Sequence, residues 1–298
     1  MKRLQNVTIY ILALICLTVV LNCETFAREP FFKEVDLFSA DNKNYGNFRI
    51  PAVVVTPNGT VLAFCEGREK DSDTGDIDIV LKRSFDNGNT WEPLQVVRND
   101  GANCCGNPCP VVDRDTGTVW LVHSHNLGYV HESEIIKGTG DGTRTVWALK
   151  STDDGATWSE PEEITAATKA PNWTWIATGP GIGIQLESGR LVIPCDHAEA
   201  NTFYLKAHVI YSDDHGETWH LGGTVNTNFI GEPQVVELSD GRLLLNARNC
   251  DARLFFVMPF PTVTHTGPYR TIAVSGDGGL TWSESWVDSV LIETGGHG

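Results

Sequence analysis

SFDNGNTW at Ser84–Trp91, STDDGATW at Ser151–Trp158, SDDHGETW at Ser212–Trp219 and SGDGGLTW at Ser275–Trp282 are one phrase written four times, Ser-x-Asp-x-Gly-x-Thr-Trp. The starts lie 67, 61 and 63 residues apart. Self-similarity at a near-fixed period marks a chain built from repeated supersecondary units. The phrase carries turn chemistry. Its Asp can accept backbone N–H groups, its Gly admits positive φ, and its Trp offers a ring to the next element.

Each phrase follows a short β-branched and aromatic run: Asp76–Arg83, Thr145–Lys150, Lys206–Tyr211 and Arg270–Val274. These read as strands stopped by Asp, Asn or Gly. Upstream stands a second recurring pattern, two apolar runs across a Gly turn, beginning at Pro51, Pro110, Gly181 and Pro233. Two strands across a tight turn form a hairpin. Each unit thus holds about four strands, which suits a β-propeller blade. No amphipathic helix is expected after the N-terminus, so the fold class is all-β.

Residues 1–27 have the pattern of an export signal. Lys2 and Arg3 precede an apolar stretch from Val7 to Leu21, and Thr25-Phe26-Ala27 offers a cleavage site. The apolar stretch is short for a membrane span. A secreted, periplasmic or cell-surface protein is expected, with 28–298 as its folded domain and no span once the signal is removed. Cys65, Cys104, Cys105, Cys109, Cys195 and Cys250 then remain. Export leaves open a disulfide among Cys104, Cys105 and Cys109. No Cys/His pair has zinc spacing, and most of these thiols sit in apolar runs that read as core. The net charge of −16 argues against nucleic acid and anionic membrane surfaces as partners. An anionic ligand would need arginines concentrated locally. A monomer is expected.

Blades of one design place equivalent positions around one mouth, so chemistry should show where equivalents differ. Aligned on the boxes, the first strands offer Arg49, Asn107, Thr178-Gly179 and Glu232. The second strands offer Arg68, then His123 and His125, then Asp196 and His197, then Arg248. Arginines and an acid would converge on one pocket.

Phe48-Arg49-Ile50-Pro51 resembles the FRIP signature of the exo-α-sialidase (neuraminidase) family, and the four phrases resemble its Asp-box, or BNR, repeats. The segment from Cys65 to Ser84 looks like that family's acid segment, and Gly231 to Arg248 like its Glu–Arg segment. The resemblance implies a six-bladed propeller that cleaves terminal sialic acids from glycans with retention, without metal or other cofactor. About four of those blades are encoded here. Sialylated glycans are the implied partners.

By the same resemblance, Arg49 and Arg248 are two of three arginines that hold the substrate carboxylate, because guanidinium groups match it bidentately and stay charged. Arg68 resembles an additional pocket arginine. Asp73 resembles the general acid/base, with Asp71 as the alternative; Asp76 and Asp78 lie in the strand pattern and read as structural. An acid that must donate a proton is expected to have a raised pKa through partial desolvation. Glu232 resembles the base that activates a tyrosine nucleophile. A neutral phenol avoids the repulsion a carboxylate would meet at an anionic sugar. Asn107 would contact the substrate's N-acyl side. Trp173 and Trp175 would either wall the sugar or pack between blades, and the three histidines carry no assigned role.

The family's third arginine and its tyrosine lie beyond the fourth box. The six tyrosines here, Tyr10, Tyr45, Tyr129, Tyr204, Tyr211 and Tyr269, all precede that box, and no arginine follows Arg270. The expectation is a shortened chain that releases little sialic acid from a fluorogenic sialoside. The alternative is a non-catalytic propeller that binds sialic acid, against which the Asp73 and Glu232 pair argues. An Asp-box scaffold of unrelated function is the third reading.

Overall fold

Among the described residues, seventeen strands and two short helices follow one another in four units. A computed structural model describes them over residues 32–40, 44–202, 204–249, 270–283 and 286–288. The expected signal at 1–27, Cys250, and the tail from Leu291 to Gly298 lie outside the described residues. Residues 32–38 belong to a unit separate from the one beginning at Ser39, and contain neither helix nor strand.

The first unit holds β1 (Asn47–Val55), β2 (Val61–Arg68), β3 (Ile77–Ser84) and β4 (Gln95–Arg98). The second holds β5 (Cys104–Val112), β6 (Val119–Asn126), helix α1 (Glu132–Lys137), β7 (Thr145–Ser151) and β8 (Glu162–Glu163). After helix α2 (Thr165–Thr168), the third holds β9 (Trp173–Thr178), β10 (Ile184–Gln185), β11 (Leu191–Glu199), β12 (Leu205–Ser212) and β13 (His220–Thr224). The fourth holds β14 (Ile230–Glu237), β15 (Leu243–Asn249), β16 (Arg270–Ser275) and β17 (Trp286–Asp288). Within each unit the pairing is antiparallel between sequence neighbours; in the third, β9 and β10 share β11 as partner. The all-β expectation holds. The strands expected before each box are β3, β7, β12 and β16, matched to within two residues at either end.

The four boxes fold alike. The box serine hydroxyl donates to the box aspartate at 2.8–2.9 Å and accepts the glycine N–H at 2.8–2.9 Å. The aspartate also accepts the threonine N–H and hydroxyl. The residue before the glycine shares its positive φ: Asn87, Asp154, His215 and Gly278 lie between 55° and 69°. In the third box Gly216 also admits no side chain, since a Cβ there would sit 2.2 Å from the Trp120 ring.

Apolar side chains from adjacent units close on one another, which excludes water and supplies the main stabilising term. Ala52, Val54, Leu62 and Phe64 of the first unit meet Cys105, Val119, Leu121 and Leu149 of the second. Cys109, Val122 and Val146 of the second meet Ile176, Ile193 and Ile210 of the third. Val192, Ala207 and Val209 of the third meet Leu243, Leu245 and Ala273 of the fourth. Cys65, Cys104, Cys105, Cys109 and Cys195 are buried free thiols, so the disulfide left open among Cys104, Cys105 and Cys109 does not form.

The first strand of each unit is interrupted by one left-handed residue: Ile50 at φ 56°, Asn107 at 54°, Gly179 at 68° and Glu232 at 48°. Each is followed by proline, at Pro51, Pro108, Pro180 and Pro233. In the first, second and fourth units the pairing slips there by one residue. A β-bulge inserts an unpaired residue and re-aims its side chain. Positive φ is uncommon for a non-glycine residue and a genuine outlier for β-branched Ile50. Such strain persists where surrounding structure enforces it.

This bulge corrects the alignment drawn from sequence. Arg49 faces Glu66, Gly106 faces Ser124 and Gly231 faces Arg248 across their hairpins. The equivalents of Asn107 and Glu232 are therefore Ile50 and Gly179, not Arg49. On the second strands, the residues facing the box serines are Val61, Val119, Leu191 and Leu243. Five positions on from these stand Glu66, Ser124, Asp196 and Arg248. Arg68 is not the counterpart of Arg248; Glu66 is.

Candidate active site

A cavity of about 250 Å³ opens where the four units converge, and Arg49, Arg68, Asp73, Asn107, Glu232 and Arg248 all line it. Each arrives by a different local device. Arg49 stands one residue before the bulge in β1, and Arg68 ends β2. Asp73 hangs on the loop between β2 and β3. Asn107 and Glu232 are themselves the left-handed bulge residues of β5 and β14, and Arg248 lies near the end of β15. Asp71, the alternative acid, bonds the Asn47 amide at 2.6 Å and does not line the cavity. Asp78 is structural as expected, buried and accepting from Tyr45 and Asn99.

The charges interlock. Arg68, 3% exposed, bonds Glu66 through Nε and Nη2, and Asp73 through Nη1 at 2.7 Å. Arg49 approaches the same Asp73 oxygen at 3.5 Å. Arg248 Nη1 stands 2.9 Å from Glu232. Desolvation pulls the Asp73 carboxyl upward. The hydrogen bond and charge of Arg68, with Arg49 and Arg144 behind it, outweigh that pull and hold it below the usual carboxylate range. This reverses the raised pKa expected from sequence, because the desolvation of Asp73 is outweighed by the summed pull of Arg68, Arg49 and Arg144.

Sequence reasoning assigned no role to Glu66, Arg144 and Asp196, all of which line the cavity. Glu66 is 2% exposed; besides Arg68 it accepts the Asn107 N–H at 2.7 Å. Its signal was its place two residues before Arg68 on an apolar strand. Arg144 is buried just before β7, its guanidinium 4.1 Å over the Trp175 ring; nothing in its neighbourhood in sequence marked it. Asp196 was aligned but given no task. It accepts the Glu232 N–H at 2.9 Å and the Trp175 indole N–H at 3.1 Å. Glu66 and Asp196 thus do one job: a buried carboxylate holds the left-handed bulge of the following unit in place. The tryptophans divide. Trp175 lines the cavity, while Trp173 stacks on His197 at 3.4 Å between centroids. None of His123, His125 and His197 lines the cavity.

Burial pushes Asp196 up to about 7, with the Glu232 charge adding to it and the N–H of Glu232 opposing it. In the unfolded chain such a carboxyl titrates near ~4. The folded state therefore holds an extra proton between those values. The stability this confers is full below about pH 4 and is lost as pH rises through about 7, a span on the order of 4 kcal/mol. Asp196→Asn is expected to flatten the fall in urea-measured stability between about pH 4 and 7. Parallel pH profiles for variant and parent would refute this.

A second cavity, about 560 Å³, adjoins the first at Asp73 and is lined by Ser72, Thr74 and, on or beside α1, His131, Ser133, Ile136 and Lys137. No helix among the described residues is long and apolar enough to cross a membrane.

A model of the BNR repeat-like domain family matches residues 59–292. A sialidase of Micromonospora viridifaciens is 34% identical over 274 residues, covering 88% of this chain and 40% of the relative. An exo-alpha-sialidase of Aspergillus fumigatus is 40% identical over 187 residues, covering 55% and 46%. The solved Hadza microbial sialidase Hz136 superposes with a TM-score of 0.71 at 32% identity, over 82% of this chain and 47% of that one. A Trypanosoma rangeli sialidase, solved with sialic acid, shares the fold at a TM-score of 0.67 and 21% identity, over 86% and 42%. The chain spans about half the length of the relatives it matches.

Proposed function

The chain belongs to the BNR-repeat sialidase family, and from that premise we propose that its cavity is the site of an exo-α-sialidase acting on terminal sialic acids of glycans. The observation that carries this reading is the convergence of Arg49, Arg68 and Arg248 with Asp73 and Glu232 on one cavity. Arg49 and Arg248 would grip the substrate carboxylate as paired charge-assisted donors. Asp73 would protonate the leaving oxygen, and the adjoining cavity beyond it would receive the leaving group. A carboxylate ligand beside Asp73 adds negative charge and draws on Arg49, both of which raise the Asp73 pKa toward a proton donor's. The free site thus holds Asp73 ionised, and bound substrate would lead it to take up a proton from solvent.

Glu232 would serve as base to a tyrosine nucleophile. Among the described residues no tyrosine lines the cavity. In a second reading, the described residues bind sialic acid without turning it over. An export signal at 1–27, as expected from the sequence, would suit either reading and would place the protein outside the cytoplasm.

Calorimetric titration of the whole chain with N-acetylneuraminic acid, beside a fluorogenic sialoside assay, tests both. Binding with release supports the enzyme, and binding without release supports the binding module. Absence of both at millimolar ligand overturns the assignment of this cavity.

A further inference from the structure

Arg144 is 7% exposed, yet among the described residues no carboxylate lies within salt-bridge distance of its guanidinium. Trp175 takes the face of the group, and Nη2 donates to Asn107 Oδ1 at 2.9 Å. The Nε is buried with no hydrogen-bond partner. A buried cation held this way carries a desolvation cost, which its contacts with Trp175 and Asn107 offset only in part.

What depends on it is Asn107. Three of the four polar atoms of that residue are tied, each to a different unit. The N–H donates to Glu66 at 2.7 Å, the carbonyl accepts the Thr178 hydroxyl at 2.6 Å, and Oδ1 accepts from Arg144. A guanidinium has donors and no acceptor, so it dictates which end of the amide faces it. The oxygen must turn toward Arg144, leaving the NH₂ group without a partner among the described residues at the wall of the cavity.

We propose that Arg144 is a positioning residue that locks the Asn107 amide with its NH₂ offered to the cavity, so that the site reads an oxygen acceptor on the ligand there. This rests on the cavity being a sialic-acid site. Arg144 acts through Asn107, so its effect is directional rather than a matter of bulk.

Two variants of similar size separate direction from bulk. Arg144→Lys keeps a donor-only group; Arg144→Gln supplies an acceptor and permits the amide to flip. The whole chain and both variants are titrated with N-acetylneuraminic acid, with thermal unfolding as the check on folding. The expected result is Arg144→Gln about 10-fold weaker and Arg144→Lys within about threefold of the parent. Adding Arg144→Gln to Asn107→Leu should weaken binding no further than Asn107→Leu alone, the mark of action through one residue. Equal affinities for the Gln and Lys variants, or additive losses in the double variant, overturn the proposal. A parent chain that binds no sialic acid overturns the reading of the site and this proposal with it; only in that case does the parent itself fail.

Discussion

Arg68→Met is expected to remove about 3–5 kcal/mol of stability, the cost of stranding a buried charge. Methionine fills much of the arginine's volume, so the loss is electrostatic rather than steric. Glu66, 2% exposed, would keep the Asn107 N–H on one oxygen and lose both guanidinium bonds on the other. Asp73, largely in solvent, can be rehydrated and adds little. Against a typical total of about 5–15 kcal/mol, the change is a large fraction. Urea unfolding followed by tryptophan fluorescence measures it. The cause is isolated by a second substitution: Glu66→Gln in the Arg68→Met background should restore much of the loss, since a neutral amide is far cheaper to bury than a lone carboxylate. A loss below about 1 kcal/mol, or no recovery in the double variant, would show that Arg68 is not the counterion on which Glu66 depends.

Arg248→Ala is expected to weaken sialic-acid binding roughly 30- to 150-fold, or about 2–3 kcal/mol. The guanidinium sits 2.9 Å from Glu232 and is a third exposed, so its removal opens no core cavity. Glu232 is likewise partly exposed and can take up water. The effect therefore falls on the ligand rather than on the fold. Arg248→Lys should recover only part of it, because an ammonium group cannot make the paired contact a carboxylate accepts from a guanidinium. The discriminating ligand is the methyl ester of sialic acid, which lacks the negative charge. Parent and variant should bind that ester alike. An equal loss for acid and ester would remove Arg248 from carboxylate recognition.

The boxes were legible because each is a self-contained turn. Ser212, Asp214, Gly216 and Thr218 satisfy one another within seven residues, so the pattern in the chain is the pattern in space. The strands before them were legible for the same reason, and so was the set of six polar residues that meets in the cavity. The register was not. A bulge adds one residue to one strand, and no composition rule reports it. Only the x-Pro pairs at Ile50, Asn107, Gly179 and Glu232 hinted at it, and the second of these was passed over for Pro110.

The sequence by itself determined the repeat, the all-β class, the family and the arginines and acids on which a sialic-acid site would depend. These rest on local turn chemistry and on residue types at short spacing. Only the tertiary structure decided that Glu66 rather than Arg68 is the counterpart of Arg248, that Asp73 rather than Asp71 reaches the cavity, and that Arg144 and Asp196 stand behind the bulges. Those facts depend on contacts between units far apart in the chain. The same holds for the Asp73 proton: its affinity is set by Arg68 and Arg49 standing within reach, and Coulomb energy follows distance in space rather than separation in sequence.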